Sequence, residues 1–322
     1  MHVYALPMRH RFRGITIREG LLIEGPAGWG DFCPFDGYDS DAARPWWLAA
    51  VEAAETGWPA PIRSAVPVNC TVPAVGPEHA AAIVAAPHGC RTAKVKVAEP
   101  GQSIDDDVVR VEAVRDALGP TGRIRVDANG GWDVDTAVPA IRRLEAAAHG
   151  LEYVEQPCAS VEELAAVRRR VGVPIAADES IRRADDPYRV AALDAADIAV
   201  LKVAPLGGVA TCLVIADRIG LPVVVSSALE SSVGLAAGVA LAAALPELPF
   251  ACGLGTAVMF SRDVTAAPLA PVDGMLAVRR VAPDAAALGA VGADTATTRR
   301  WADRAGAART AETQPRAERS RP

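Results

Sequence analysis

Two lysines, Lys94 and Lys96, stand two residues apart in an otherwise apolar, strand-like segment. Side chains alternate between the two faces of a strand, so both ammonium groups point to the same side. Burying two like charges is costly unless anionic groups lie opposite them. Taken alone, however, the pattern is more typical of a half-exposed strand with a solvated charged face. The pair predicts a functional site only if acidic residues converge on it.

Four strand-like segments further along the chain each end in one charged residue: Asp127, Glu155, Asp178 and Lys202. Counted from Lys94, they follow one another at intervals of about 23 to 33 residues, enough for one strand, one helix and two loops. A barrel built from such parallel βα units brings the C-terminal ends of its strands to one rim. The sequence therefore predicts three carboxylates and two or three lysines around one cavity.

The three acids at this rim, Asp127, Glu155 and Asp178, offer hard oxygen ligands with no His or Cys among them. This donor set suits Mg²⁺, with Mn²⁺ as a substitute, and leaves positions for water and substrate. Three unpaired carboxylates facing one another would repel strongly, and a divalent cation would relieve that repulsion. We therefore expect the acids to bind a metal ion.

The lysines suggest the reaction. Lys94, Lys202 and a bound cation would each lower the pKa of Lys96, and burial would lower it further, so that Lys96 could act as a base. A cation that accepts a substrate carboxylate stabilises the enediolate formed when the adjacent carbon loses its proton. The predicted reaction class is proton abstraction α to a carboxylate, and the predicted partner is a small-molecule carboxylate.

Composition limits the other possibilities. The chain has 322 residues and a net charge of −6, which argues against nucleic-acid binding. Its six cysteines include no CxxC pair and indicate reduced thiols in a cytoplasmic protein. We expect no signal peptide, and no uncharged run is long enough to span a membrane. The sequence leaves the oligomeric state open.

The repeat of strand-like and helix-like segments covers only part of the chain. It predicts the α/β fold class, with eight strands and seven intervening helices. Residues 1–62 lack this repeat and suggest antiparallel strands. A basic loop joins the strands, and its Arg9 and Arg11 would attract an anionic substrate. We assign residues 63–261 to the barrel and 262–293 to a return toward the N-terminal part. The Arg-rich composition from 294 to 322 predicts a disordered tail.

Five ordered motifs resemble the enolase superfamily, muconate-lactonising subgroup: Lys94-Val-Lys96, Asp127-Ala-Asn129, Glu155-Gln-Pro157, Ala177-Asp178-Glu179-Ser180 and Lys202. The resemblance covers roughly residues 1–280 and implies a modified TIM barrel, (β/α)₇β, with an α+β capping domain built from both chain ends. One departure from the family pattern is Asp31, where a glutamate is usual.

Within this superfamily the sequence most resembles the o-succinylbenzoate synthase family in its short actinobacterial form. That resemblance implies a lyase of menaquinone biosynthesis that dehydrates 2-succinyl-6-hydroxy-2,4-cyclohexadiene-1-carboxylate. Lys96 would remove the α-proton and assist departure of the hydroxyl, while Lys202 would cover the other face of the ring. Lys94 would tune Lys96. The remaining implied residues are Asn129 and Glu179 as support for the metal ligands, and Ser226, Ser227, Glu230, Gly253 and Gly255 as the pocket for the succinyl arm.

Other activities of the subgroup remain open. N-acylamino-acid racemases and dipeptide epimerases use the same lysines and acids. Epimerases typically carry Asp-x-Asp after the eighth strand, where this chain reads Gly253-Leu-Gly255, so that reading is less favoured. Muconate cycloisomerase is a further alternative. A non-catalytic binding scaffold is the most remote, because a scaffold needs neither the acids nor the lysines.

Overall fold

The computed structural model describes residues 1–183 and 186–311. The chain begins with an antiparallel sheet of β1 (His2–Phe12), β2 (Ile15–Gly25) and β3 (Gly28–Phe32). Arg13 and Gly14 make the turn between β1 and β2 with φ of 48° and 82°, a conformation in which Gly is unstrained. Helix α1 (Ser40–Val51) follows, its first turn capped by Asp39, and continues as a π-helical turn, Glu52–Thr56. This sheet and helix form the capping domain.

A parallel sheet forms the barrel. Its strands are short, rich in Val, Ile and Ala, and buried on both faces, as is typical of a parallel sheet covered by helices. After β4 (Ala65–Pro67), the strands are β5 (Cys70–Val72), β6 (Thr92–Lys96), β7 (Arg123–Asp127), β8 (Val154–Glu155), β9 (Ile175–Ala177), β10 (Ile198–Leu201) and β11 (Val223–Val225).

Strands β5 to β11 lie side by side in chain order. The segment at Cys252 and Gly253 occupies the eighth position, because it pairs in parallel with Val68 on one side and with Ser226 on the other. The predicted barrel with eight strand positions is therefore confirmed, although the eighth is a pair of isolated bridges and not a regular strand.

Helices connect the strands and pack outside them. They are α2 (Pro77–Ala85), α3 (Ile104–Leu118), α4 (Val134–Ala147), α5 (Val161–Arg168), α6 (Glu179–Arg182), α7 (Arg189–Ala192), α8 (Val203–Leu206), α9 (Val209–Ile219) and α10 (Ser232–Ala244). Capping boxes at Ser103 and Ser160 fix the starts of α3 and α5. Within the described residues, every helix is too short or too polar to cross a bilayer.

The C-terminal segment returns to the N-terminal part. Strand β12 (Met275–Ala277) pairs with β4, and Gly292 bridges to Tyr4 of β1. Helices α11 (Ala285–Val291) and α12 (Thr295–Thr310) follow. The expectation of a disordered tail from 294 is wrong for residues 295–310, because Trp301, Ala305 and Ala308 give α12 one buried face. Residues 312–322 lie outside the described part of the chain, and the predicted domain boundaries at 62 and 261 stay predictions.

Candidate active site

The pairing of strands brings the predicted acids and lysines to one rim. Lys96 pairs with Asp127 on the neighbouring strand, and Asp127 with Glu155 on the next. Asp178 follows β9 directly, and Lys202 follows β10. The three carboxylates are fully buried, and the three lysines are buried to a similar degree. The arrangement of charged residues predicted from their spacing therefore exists.

Lys94 bridges two of the acids. Its Nζ lies 2.8 Å from Oε1 and 2.9 Å from Oε2 of Glu155, and 3.0 Å from Oδ2 of Asp127. Both lysines of β6 thus share Asp127, because Nζ of Lys96 lies 2.5 Å from the same Oδ2 atom. These contacts, together with the burial of both lysines, exclude a solvated charged face on β6.

Lys96 has a second polar partner and an aromatic neighbour. Its Nζ lies 2.7 Å from Oδ1 of Asn129, and 5.3 Å from the centre of the Phe12 ring at the tip of the β1–β2 hairpin. The Asn129 amide donates in turn to Oε1 of Glu179, over 3.1 Å. Asn129 and Glu179 therefore lie next to the acid and lysine cluster, where the resemblance placed them.

Asp178 is held by two cations. Lys202 Nζ lies 2.5 Å from its Oδ2 atom, and Arg182 Nε donates to its Oδ1 atom over 2.8 Å. Arg182 also donates to Glu179 Oε1 over 2.6 Å and to the Tyr38 hydroxyl over 2.9 Å. The second oxygen of Glu179, Oε2, is buried and has no hydrogen-bond partner among the described residues.

Burial and neighbouring charges shift the pKa values of this cluster. Burial, together with the neighbouring Lys94 and Lys202, lowers the pKa of Lys96, although Asp127 opposes the shift. Burial also raises the pKa of Glu155 to about 7, with the Asp127 carboxylate as the next cause. Asp178 shows the opposite direction, because Arg182 and Lys202 outweigh burial and lower its pKa to about 2.

The donor set fits a divalent cation. Asp127, Glu155 and Asp178 supply carboxylate oxygens at the ends of three adjacent strands, the hard donors that Mg²⁺ or Mn²⁺ prefers. Within residues 1–183 and 186–311, no three acidic, His or Cys side chains are arranged closely enough to hold a metal ion as they stand. The reason is visible in the contacts, since lysine ammonium groups take the carboxylate oxygens that a cation would need. The acids would hold a cation once these ammonium groups moved aside.

A cavity of about 480 Å³ opens above the cluster. Of the residues predicted for the substrate pocket, Ser226, Ser227 and Gly253 line it. Gly253 packs closely against Ser226, because a Cβ atom at this position would lie 2.4 Å from Oγ of Ser226 and force that side chain to move. Glu230 and Gly255 are not among the described residues that line this cavity; Glu230 is turned toward the backbone N–H of Ala228, and Gly255 is packed against the backbone of Asn69.

The hairpin arginines take a different place from the one expected. Arg9 and Arg11 line a separate groove of about 550 Å³ that also reaches Lys96. At the tip of the hairpin, the residues that line the main cavity are Phe12, Arg13 and Ile15 instead. The hairpin turn points its tip at the cavity, so the residues nearest the turn, and not those before it, enter the site.

Sequence reasoning missed several residues of the site. Arg182 is the most important, and its position four residues after Asp178 on a helix was a usable signal for an ion pair. Tyr38 and Trp301 also line the cavity, but they come from distant parts of the chain and carry no local signal. Gln156 accepts hydrogen bonds from the backbone N–H groups of Asp178 and Ser180 and so fixes the start of α6.

Comparison with known proteins agrees with the fold. Residues 78–290 match the family described as enolase C-terminal domain-like, and residues 3–54 match the family described as enolase N-terminal domain-like. The chain therefore belongs to the enolase superfamily of enzymes. The predicted resemblance is confirmed, and members of this kind generally depend on a divalent metal ion.

Curated relatives carry a more specific name. The chain is 64% identical to the o-succinylbenzoate synthase of Thermobifida fusca, over 96% of this chain and 95% of the relative. It is 60% identical to the o-succinylbenzoate synthase of Mycolicibacterium smegmatis, over 94% and 93%. Among solved structures, muconate lactonizing enzyme from Pseudomonas fluorescens matches with a TM-score of 0.75 and 22% identity, over 93% of this chain and 97% of that one. The structural likeness shows the barrel fold.

Proposed function

We propose that this chain is an o-succinylbenzoate synthase. It would dehydrate 2-succinyl-6-hydroxy-2,4-cyclohexadiene-1-carboxylate to o-succinylbenzoate, a step of menaquinone biosynthesis. The observation that carries the proposal is the pair Lys96 and Lys202, which stand on β6 and just after β10, four positions apart in a barrel of eight. Two amines on opposite sides of one rim can reach both faces of a flat ring bound between them. The name and extent of the 64% identical relative support the same activity.

Lys96 is the group that moves protons. With its pKa lowered, it is uncharged in a larger fraction of molecules than an exposed lysine and can accept a proton at Nζ. It takes the proton from the substrate carbon next to the carboxylate, and the electron pair of that C–H bond is delocalised into the carboxylate. The protonated Lys96 then gives its proton to the hydroxyl on the same face as the C–O bond breaks. Water leaves, and the ring becomes aromatic.

Lys202 remains charged on the opposite face. Its ammonium group stabilises the negative charge that develops on the substrate and lies against the ring by a cation–π contact. Asp127, Glu155 and Asp178 would hold Mg²⁺, or Mn²⁺ in its place. The bound cation would supply positive charge beside the substrate carboxylate as negative charge develops there. The positive charge of the neighbouring Lys94 helps to lower the pKa of Lys96 and so makes its proton easier to lose.

The rest of the cavity would hold the succinyl arm. Ser226, Ser227 and Gly253 line the end of the cavity formed by the last two strand positions, and we assign the arm to them. Asn129 and Glu179 would orient Lys96 and Arg182 through the hydrogen bonds described above. All six cysteines are free, which supports a reducing, cytoplasmic setting for the enzyme.

The test is an assay of the purified protein with Mg²⁺ and freshly made cyclohexadiene substrate, following loss of the diene and gain of the aromatic product. N-succinyl amino acids are run beside it in D₂O, with exchange of the α-proton followed by NMR. Fast dehydration with slow exchange supports the proposal. Fast exchange without dehydration would make the protein an N-acylamino-acid racemase with the same lysines. Folded, metal-binding protein without either reaction would contradict the proposed activity.

A further inference from the structure

The C-terminal helix α12 lies outside both family matches, which end at residues 54 and 290, yet it reaches the active-site cavity. Trp301 of this helix is fully buried and lines the cavity together with residues of β2 and of the loop after β3. Its ring lies edge-on to Phe32, with 5.9 Å between ring centres. A segment whose composition suggested disorder therefore contributes a wall of the site.

Two residues of α12 engage an acid at the cavity. Trp301 Nε1 donates to Glu19 Oε2 over 2.8 Å, and the Arg300 guanidinium is paired with the same oxygen. Glu19 stands on β2 and lines the cavity. An unpaired carboxylate at this position would repel a substrate that itself carries carboxylates. The helix thus neutralises a negative charge on the path of an anionic ligand.

A third residue of α12 holds the loop between β3 and α1. Arg304 donates to the backbone carbonyls of Phe35 over 2.9 Å and of Pro34 over 3.3 Å, and more distantly to that of Tyr38. Phe35 and Tyr38 line the cavity, and the Tyr38 hydroxyl accepts from Arg182, the partner of Asp178. The Arg304 guanidinium therefore connects this loop, residues 34–38, to α12 through hydrogen bonds to the loop's backbone carbonyls.

We propose that α12 is part of the substrate-binding site and sets the affinity for the anionic substrate. It acts in two ways: Arg300 and Trp301 neutralise Glu19, and Arg304 positions the 34–38 loop. These are positioning residues, because they touch Glu19 and the loop and none of the groups that transfer the proton. The inference rests on the proposed function for its substrate, and predicts changes in KM with little change in kcat.

The charge effect is tested by rescue. Arg300→Ala should raise KM roughly two- to fivefold, the range expected when a partly exposed ion pair is lost, with kcat unchanged. Adding Glu19→Gln to that variant should return KM toward the wild-type value, since the unpaired charge is gone. Arg299→Ala is the matched control, because Arg299 stands next to Arg300, is exposed and has no ion pair among the described residues. A KM that does not rise, or a rise that Glu19→Gln fails to reverse, would overturn the charge effect.

The loop effect is tested without any substrate. Hydrogen exchange of the backbone amides of residues 35–38 should become roughly tenfold faster in Arg304→Ala, because the loop loses its hydrogen bonds to α12. Arg299→Ala should leave the exchange unchanged. Equal exchange in Arg304→Ala and wild type would overturn the positioning of the loop. Because this readout needs no turnover, it still decides the inference if the wild-type protein fails the dehydration assay and the proposed function falls.

Discussion

Two buried polar clusters of this protein differ in their surroundings, and the difference distinguishes a cluster that serves catalysis from one that stabilises the fold. The rim cluster, defined as Asp127, Glu155, Asp178 and their lysines, packs like charges beside one another below an open cavity. The cap cluster consists of Asp31 with Tyr4 and Ser231, and joins the first sheet to α10. In it, one carboxylate accepts from the Tyr4 hydroxyl at 2.8 Å, from the Ser231 hydroxyl at 2.7 Å and from the Ser231 amide at 3.1 Å.

The cap cluster is closed to solvent, and the Asp31 carboxylate finds its hydrogen-bond donors within the cluster. A Cβ atom at Gly20 would lie 2.3 Å from the Tyr4 hydroxyl oxygen, and one at Gly234 would lie 2.8 Å from Asp31 Oδ2, so the space around the acid is filled. The rim cluster instead opens to the cavity, and beside it Oε2 of Glu179 is buried with no hydrogen-bond partner among the described residues. A buried charge alone is therefore a poor sign of function, whereas crowded like charges that open to a cavity are a good one.

The largest effect is expected at the rim. Lys202→Ala should lower kcat by roughly 10²- to 10³-fold, because the developing negative charge loses an ammonium group. The fold should persist, since Arg182 still pairs with Asp178. Steady-state kinetics and thermal melting measure the two quantities. Near wild-type turnover in this variant would remove Lys202 from the mechanism.

The cap cluster should show the opposite behaviour. Asp31→Ala leaves the Tyr4 and Ser231 hydroxyls buried without their acceptor, so we expect a loss of about 2–4 kcal/mol in the free energy of unfolding. Turnover by the folded fraction should remain close to wild type. Denaturant unfolding measures the loss, with Asp116→Ala on the exposed side of α3 as control. A stable Asp31→Ala protein that had lost turnover would reverse the roles of the two clusters.

A metal ion should stabilise only through the rim. Mg²⁺ at about 100 times its Kd should add about 2.7 kcal/mol to the free energy of unfolding, seen as a higher melting temperature. Asp178→Asn should lose this gain, whereas Asp135→Asn, on the exposed start of α4, should keep it. Removal of metal by EDTA should abolish turnover. An unchanged metal-dependent gain in Asp178→Asn would contradict the assignment of the ligands.

The smallest effect is a pH dependence at the cap cluster. Burial raises the pKa of Asp31 above its ordinary 3.8, although Ser231 and Tyr4 donate to it. The folded state then binds this proton more tightly than the unfolded state, so the stability it contributes is complete below 3.8 and falls as pH rises through the raised value. The stability difference between wild type and Asp31→Asn should shrink over that pH window. A difference that grows with pH would contradict the direction.

Much of the rim was predictable, because the charged residues end strands whose apolar runs and spacing are local features. For example, strand β7 ends at Asp127, the residue at which the sequence predicted that a strand would end. The cap cluster was not predictable in this way, since Tyr4 and Asp31 lie 27 residues apart and Asp31 and Ser231 lie 200 apart. Glu230 was assigned to the substrate by its place after a strand, but it accepts the Ala228 amide two residues away. Local pattern finds residues at strand ends and misses partners chosen by packing.

Helix α12 was also not predicted from the sequence, in this case because the prediction relied on composition. Its Arg-rich composition suggested disorder, yet three small or aromatic residues at helical spacing were enough to pack it against the capping domain. The i, i+4, i+7 pattern of an amphipathic helix is followed by Trp301, Ala305 and Ala308. The overall composition of the segment does not record this spacing. A periodicity count over residues 295–310 would have predicted the helix, though not its place beside the cavity.

The most direct test is turnover by Lys96→Ala, measured with saturating Mg²⁺ and the cyclohexadiene substrate. The mechanism predicts a loss of about 10²- to 10⁴-fold, the usual contribution of a positioned acid–base group, together with an intact fold and an intact metal-dependent rise in melting temperature. Dehydration at the wild-type rate by this folded, metal-binding variant would show that another group moves the proton, and would contradict the assignment of the rim cluster's base.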